Sequence, residues 1–448
     1  MWTLVNNENI DKYFDEYPKL KEFKEIFSLY TNKNKTMLPR FFSQNYPSKY
    51  LTFYENKIYN PEKIEFNCSI KLRPLQKRII TTVIKELDIN NGQINGIIKA
   101  SPGSGKTILS IYLTSILKYK ALIIVDSKQL MEQWINAILQ VTNLVPDDIG
   151  KIQESLFPDN NKKIIIATVQ TLLSQFKTDP KNLYVRLKEL RIGVVFFDEC
   201  HKSSSSQQYA RISTVLPVNN IIGLSATPYK TREQDVLMKN VLGNLIYDGA
   251  EYAYLPNIDI IYYRSNLDKY RGILGKFHEY VTRRAYYNKI LCNSETYLNL
   301  FPKYIKQDLK EHRKIIVICQ TERQIKAISE RLDKEGITYK QYYGKSRDFK
   351  KSDNVLIGTY AYCGTGFDFK ELSSLIYATP LSGRVSLIQT AGRVLRACEG
   401  KQNPKIRYFV DMTFPSLFLP DVKRVKEIFT SEFNGADLKE IHLDEYQI

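Results

Sequence analysis

No stretch of the chain reaches the roughly 18 uninterrupted apolar residues that a membrane span needs. Residues 1–10 carry acidic and amide side chains where a secretory leader would have a basic start and an apolar run, so secretion is not expected. The six cysteines, Cys68, Cys200, Cys292, Cys319, Cys363 and Cys398, are scattered without a CxxC pair, which excludes the usual zinc-site and disulfide-framework spacings. Reduced thiols, mostly buried, are the expectation. No extended low-complexity tract interrupts the chain, and His278 and His312 stand in no motif. These absences describe a soluble, intracellular, globular protein with no membrane partner.

Acidic residues are also the scarcer charge: 48 Asp and Glu stand against 65 Lys and Arg, a net charge of +17. That balance favours polyanionic partners, nucleic acid first and anionic membrane second, over a basic surface that only maintains solubility. Hydrophobic residues at 43% and charged residues at 25% match ordinary globular proteins, which argues against disorder and fibrous folds. A length of 448 residues accommodates two or three domains. The abundance of Lys, Asn, Ile and Tyr points to an AT-rich coding genome, and a viral or phage source fits it.

Short runs rich in Ile and Val recur at residues 94–99, 121–125, 163–167, 194–197 and 221–224, with helical spacing between them at 109–117 and 130–139. Strands buried on both faces and alternating with helices imply a parallel, doubly wound sheet. The pattern repeats at 314–319, 355–358, 375–378 and 406–410, so two α/β units follow one another. We expect a small N-terminal accessory region over 1–65, a first domain over 66–252 and a second over 253–448, with a hinge near 249–257. Residues 258–263 start a fresh strand, and 270–310 read as helical, aromatic and basic. Residues 11–30 have the spacing of one amphipathic helix.

Three constellations carry chemistry. Ala100-Ser-Pro-Gly-Ser-Gly-Lys-Thr107 follows an apolar strand and opens a helix, the context of a phosphate-binding loop. Ser101, Pro102, Gly103, Ser104 and Gly105 would wrap phosphate with backbone N–H groups, continued by Thr107 and Ile108 at the helix start. Lys106 would reach the β- and γ-phosphates of ATP, and Thr107 would hold Mg²⁺. Ala100 stands where the pattern usually opens with glycine. Second, Asp198-Glu199-Cys200-His201 leaves the carboxyl end of a buried strand, 198 − 106 = 92 residues after Lys106. There Asp198 would hold Mg²⁺ and Glu199 would orient and deprotonate the attacking water. Third, Gln389-Thr-Ala-Gly-Arg-Val-Leu-Arg396 offers Arg393 and Arg396, three apart and so on one face if helical, whose planar guanidinium groups suit a transferring phosphoryl group.

These pieces and their order resemble superfamily 2 helicases and translocases over residues 71–413. The resemblance implies two tandem RecA-like domains, with Arg393 and Arg396 acting as arginine fingers on ATP when the second domain swings in. Leu72-Arg-Pro-Leu-Gln76 is similar to the family's adenine-reading element, which brings Arg73 and Gln76 to the nucleotide. Gly364-Thr-Gly-Phe-Asp368 is similar to a second-domain motif that adds Gly366 and Asp368, and Gln389 joins the catalytic set. His201, Ser225 and Thr227 occupy the family's coupling positions. Segments 121–126 and 167–171, with Ile318-Cys-Gln-Thr321, sit where the family touches its strand, making Thr168, Gln170, Thr171, Gln320, Thr359 and Thr365 candidates for nucleic-acid contacts. Contacts of that kind go to the phosphate backbone and are sequence-tolerant. The DECH sequence and compact length resemble the branch holding the repair helicase XPB, the phage branch-migration (UvsW-like) helicases and a poxvirus transcript-release helicase. DNA is favoured over RNA because DEAD-box RNA helicases have Ala-Asp in place of Cys200 and His201. An RNA helicase and an ATP-gated nucleic-acid clamp are the alternatives. Aromatic and basic residues within 270–304 either stack on bases or pack locally, and those within 39–54 either touch a duplex or pack on the first domain.

Overall fold

The structure is a computed structural model, and it describes residues 2–54, 60–90, 92–154, 156–200, 203–228, 232–249, 252, 254–344, 350, 352–363, 369–381 and 383–444. Contacts divide the chain into two compact units, Met1–Glu251 and Tyr252–Ile448.

The first unit opens with strands β1 (Trp2–Asn6), β2 (Tyr30–Thr31), β3 (Lys35–Leu38) and β4 (Leu51–Tyr54), which form an antiparallel sheet in the order β2-β3-β1-β4. The helix expected over 11–30 is broken into α1 (Ile10–Glu16), α2 (Pro18–Lys21) and α3 (Lys24–Phe27), followed by the short helix α4 (Phe42–Asn45). Pro18 is the cause: the residue before proline is driven out of the α region, and Tyr17 sits at φ −129°, ψ 72°.

The main sheet of this unit is wholly parallel, in the order β11-β5-β10-β9-β6-β8-β7. Its strands are β5 (Asn95–Ala100), β6 (Ala121–Val125), β7 (Ile149–Ile152), β8 (Ile164–Thr168), β9 (Val194–Asp198), β10 (Asn220–Ser225) and β11 (Leu245–Gly249). The helices are α5 (Pro74–Ile89), α6 (Lys106–Leu117), α7 (Lys128–Val141), α8 (Val169–Thr178), α9 (Pro180–Glu189), α10 (Ser203–Thr214) and α11 (Arg232–Leu242). Successive strand side chains point to opposite faces, so one run feeds two cores. Leu122, Ile124, Val195 and Phe197 join α8 to α11, whereas Ala121, Ile123, Val194 and Phe196 join α5, α6 and α7. The N-terminal region belongs to the first of these cores through Val5, Phe14, Phe27, Leu38 and Phe42. Arg40, also buried, donates to the Val218 carbonyl at 2.7 Å, and Asn45 to Asn240 at 2.8 Å. For the described side chains of 39–54, packing on the sheet is the reading that the contacts favour.

The second unit repeats the plan with strands β12 (Asn257–Tyr263), β13 (Lys314–Cys319), β14 (Lys340–Tyr342), β15 (Val355–Thr359), β16 (Leu372–Tyr377), β17 (Lys405–Asp411) and β18 (Asp437–His442). They form a parallel sheet in the order β14-β15-β13-β16-β17-β12-β18. Helices α12 (Arg271–Gly275), α13 (Tyr280–Leu291), α14 (Glu295–Lys310), α15 (Glu322–Lys334), α16 (Tyr360–Cys363), α17 (Arg384–Val394) and α18 (Pro415–Glu432) complete it. In the helical segment after β12, Tyr287, Tyr297, Phe301 and Tyr304 are buried in the core of this unit and Tyr270 and Tyr286 pack against it, so packing accounts for most of its aromatic residues.

Candidate functional site

The loop between β5 and α6 turns twice through the left-handed region, at Gly103 (φ 79°) and Gly105 (φ 83°, ψ 40°). A side chain strains such a backbone, and Gly105 has a second constraint. A Cβ there would lie 2.5 Å from Gln76 Nε2 and 2.7 Å from an Arg73 guanidinium nitrogen. Both residues begin α5 and clamp the loop. Gln76 Nε2 donates to the Ser104 carbonyl at 3.1 Å while its Oε1 accepts from the Arg73 backbone N–H at 3.0 Å. Arg73 donates to the carbonyls of Gly103 and Ser104. The Gln76 amide therefore serves this loop, a role that the resemblance to an adenine-reading element did not suggest.

Lys106, the first residue of α6, donates to the Ala100 carbonyl at 3.2 Å and to that of Ser101 at 3.5 Å. Both contacts are at or beyond the long end of the usual hydrogen-bond range. Ser101 and Ser104 are buried in the loop, Pro102 following the first and the two glycines flanking the second; Thr107 and Ile108 follow in the first turn of α6. The positive end of that helix faces the loop, an arrangement that attracts anions.

On the same carboxyl edge of the sheet, the next strand is β10, ending in Ser225, and the one after it is β9, ending in Asp198. Ser225 pairs with Lys99, and Leu224 with Asp198, so the acids stand two strand spacings, about 10 Å, from the loop strand. Asp198 has the same alternation parity as Val194 and Phe196, so it faces α6 and α7. There its Oδ2 accepts a 2.8 Å hydrogen bond from Trp134 Nε1 on α7. Burial, and then the neighbouring Glu199 carboxylate, push Asp198 above the usual carboxylate range, against the opposing pull of Trp134 and Lys106.

Glu199 sits at φ 48°, a left-handed conformation that a non-glycine residue holds only when its surroundings enforce it. Hydrogen bonds on both sides do so: Tyr209 OH donates to the Asp198 carbonyl at 2.9 Å, and the Cys200 N–H to the Leu224 carbonyl at 3.1 Å. Cys200 is fully buried beside Gly223, and burial pushes its thiol well up, so it is a packing residue and not a nucleophile. Ser225 and Thr227 are buried, and the Thr227 N–H donates to Ser225 Oγ at 3.0 Å. His201 lies outside the described residues.

The other half of the edge holds the candidates for strand contact. Val125 pairs with Thr168, and Gln170 Nε2 donates to the Asp126 carbonyl at 2.9 Å. Thr168 caps α8, its hydroxyl accepting from the Thr171 N–H and lying 2.9 Å from the Thr171 hydroxyl. In the second unit Cys319 pairs with Thr359, which places Gln320 and Thr359 on one carboxyl edge. Gln320 bridges Asn288 and the Pro380 carbonyl at 2.7 and 3.0 Å. Tyr360 OH donates to Gln389 Oε1 at 3.1 Å and ties α16 to α17. α17 ends at Val394, so Arg393 lies in its last turn and Arg396 in the turn beyond, and a shared helix face does not describe the pair. Lys401 Nζ holds the Arg396 carbonyl at 2.9 Å. Thr365, Gly366 and Asp368 lie outside the described residues.

Hard oxygen donors at this edge, the Thr107 hydroxyl and the Asp198 carboxylate, match what Mg²⁺ takes from proteins, one or two groups with the remainder from water and phosphate. A buried carboxylate whose pKa is raised by burial is also one that a dication would stabilise. Sequence reasoning missed Trp134 and Tyr209. The alternation of β9 together with a tryptophan on the next helix face was the signal for the first.

Two family models match the chain: "type III restriction enzyme, res subunit" over residues 69–230 and "helicase conserved C-terminal domain" over 296–398. Transcript termination protein A18 of Yaba-like disease virus is 23% identical over 413 residues, 88% of this chain and 83% of that protein. The general transcription and DNA repair factor IIH helicase/translocase subunit XPB of Encephalitozoon cuniculi is 25% identical over 362 residues, 75% of this chain and 53% of its own length. Among solved structures, S. cerevisiae Dbp5 bound to RNA and ADP BeF3 has a TM-score of 0.56 at 16% identity, covering 84% of this chain and 91% of that one, which bears on fold alone.

Proposed function

From the premise that this chain is a superfamily 2 ATP-dependent nucleic-acid helicase, we propose that it works on DNA, as an unwinding or branch-remodelling motor of the XPB-like kind. The observation that carries the enzymatic reading is the shared sheet edge of the glycine-turned loop and the Asp198-Glu199 turn. The similarity to XPB and the excess of basic residues support DNA. A second reading, action on transcripts, draws on the similarity to a transcript termination protein.

In this reading Lys106 exchanges its two long contacts with loop carbonyls for the β- and γ-phosphates of ATP, while the backbone N–H groups of 103–107 cradle the rest. Thr107 and Asp198 would hold Mg²⁺, which neutralises charge on the β- and γ-oxygens when bound. Glu199 takes the proton of the attacking water. Arg393 and Arg396, with Gln389, stabilise the transferring phosphoryl group, and bound nucleic acid favours the conformation in which they do. Arg73 and Gln76 hold the loop, the Ile108 backbone N–H continues the phosphate cradle at the helix start, and Gly366 and Asp368 complete the nucleotide contacts. Ser225, Thr227 and His201 couple the two events. Thr168, Gln170, Thr171, Gln320, Thr359 and Thr365 meet the phosphate backbone, so binding is sequence-tolerant and falls steeply with salt.

The test is a panel of ATPase stimulation by single-stranded DNA, duplex, forked DNA and RNA, followed by strand displacement on the best activator. Stimulation by DNA with displacement is expected. Stimulation by RNA alone would replace DNA with transcripts, and stimulation without displacement would make the chain a translocase or clamp.

A further inference from the structure

Trp134 is 1% exposed on the face of α7 that packs against β6 and β9, among Met131, Ile138, Ile123 and Phe196. The volume of that site could be filled by any large apolar side chain. A buried indole also carries an N–H that must find an acceptor. Its acceptor here is a side-chain carboxylate, Asp198 Oδ2 at 2.8 Å, and Asp198 is itself only 7% exposed. A carboxylate rotates about a broad, soft torsion, so its plane needs an outside contact to be defined. The backbone of the same residue is held separately, by Tyr209 from α10 and by the ladder to Leu224. The Glu199 backbone N–H also bonds this carboxylate, from the adjacent residue; with Oδ2 committed to the indole, the metal-directed contact falls to Oδ1.

We propose that Trp134 is a positioning residue for Mg²⁺–nucleotide: its indole N–H fixes the orientation of Asp198 so that the carboxylate meets the metal of the bound nucleotide. The inference rests on the assignment of Asp198 to Mg²⁺ made above. Partners that orient a metal-directed carboxylate typically matter by about 10-fold to 100-fold in metal affinity. Phenylalanine keeps the ring and removes the donor, so Trp134→Phe separates the hydrogen bond from the packing.

The chain has two tryptophans, Trp2 and Trp134, so Trp2→Phe gives a parent whose emission comes from Trp134 alone. Binding is followed by isothermal titration calorimetry: a non-hydrolysable ATP analogue is titrated in EDTA, and Mg²⁺ is then titrated into the analogue complex, for the parent and for the same chain with Trp134→Phe, which has no tryptophan left to emit. The expected result is analogue affinity in EDTA within about twofold of the parent, with the Mg²⁺ concentration for half-saturation raised about 10-fold or more. Equal Mg²⁺ dependence in the two chains overturns the inference, as does an equal loss of affinity with and without metal, which would mean that the indole only supports packing. Should Trp134→Phe not fold, the parent still decides: Mg²⁺ added to the analogue complex must change Trp134 emission, and unchanged emission overturns the proposal. A parent that binds no analogue overturns the helicase reading together with this one. A parent that binds Mg²⁺–analogue alongside a matching Trp134→Phe chain overturns this one alone.

Discussion

Replacing Gly105 with alanine attacks the phosphate loop without removing any functional group. The left-handed backbone at φ 83° costs an L-residue about 1–2 kcal/mol. The new Cβ, 2.5 Å from Gln76 Nε2 and 2.7 Å from Arg73, then forces those side-chain ends away. Gln76 is 3% exposed and bonded through both ends of its amide, so displacing it leaves a buried polar group without a partner, about 1–3 kcal/mol more. The expected total is about 2–5 kcal/mol, accompanied by weaker ATP binding because the loop carbonyls lose their clamp. Gly92→Ala is the control: its φ is 79°, yet nothing lies within 4 Å of the added carbon, so it should show the backbone cost alone. Equilibrium urea unfolding followed by tryptophan fluorescence reads both variants, since both tryptophans lie in the first unit. Adding Gln76→Ala should shrink the Gly105→Ala loss toward that of Gly92→Ala. A Gly105→Ala chain no less stable than Gly92→Ala, and unchanged in ATP affinity, would refute the reasoning.

The remaining predictions address the other parts. Glu199→Gln should bind ATP normally and lower single-turnover hydrolysis by about 10²–10⁴-fold; unaltered hydrolysis would remove Glu199 as the base. Arg396→Ala should leave ATP affinity near normal while nucleic-acid-stimulated turnover falls by about 10³-fold or more, and full stimulation would place the arginine finger elsewhere. Phe42→Ala, in the core shared by the N-terminal region and the main sheet, should cost about 3–5 kcal/mol in the unfolding of the first unit. A loss confined to a separate, earlier transition would show that the N-terminal region folds by itself.

The central strands were legible because they are buried on both faces and read as unbroken apolar runs, as in β6, β8 and β9. Edge strands carry no such signal. β18 is mostly exposed and polar, β14 has three residues, and β11 pairs irregularly, with a register shift between Leu245 and Tyr247. The antiparallel N-terminal sheet was hidden for a different reason: its strands have two to five residues each, too short for a period to show, while the helical period of 11–30 is kept as three short helices broken at Pro18. At the candidate site the loop and the acids were readable because glycine and strand-end carboxylates have strong local meaning. The clamping role of Gln76 and the place of Trp134 were not, because each acts through a partner 28 or 64 residues away, a relation fixed only by the fold. The shared helix face of the arginine pair depended on a helix running through Arg396, and α17 ends at Val394, inside the motif.

Steady-state ATP hydrolysis by the intact chain and by Lys106→Ala, each with and without single-stranded DNA and RNA, tests the account most directly. We predict hydrolysis by the intact chain that rises when nucleic acid is added, with DNA the stronger activator, and a loss of at least about 100-fold in Lys106→Ala under every condition. Turnover indifferent to nucleic acid, or a Lys106→Ala chain that hydrolyses ATP like its parent, would contradict it.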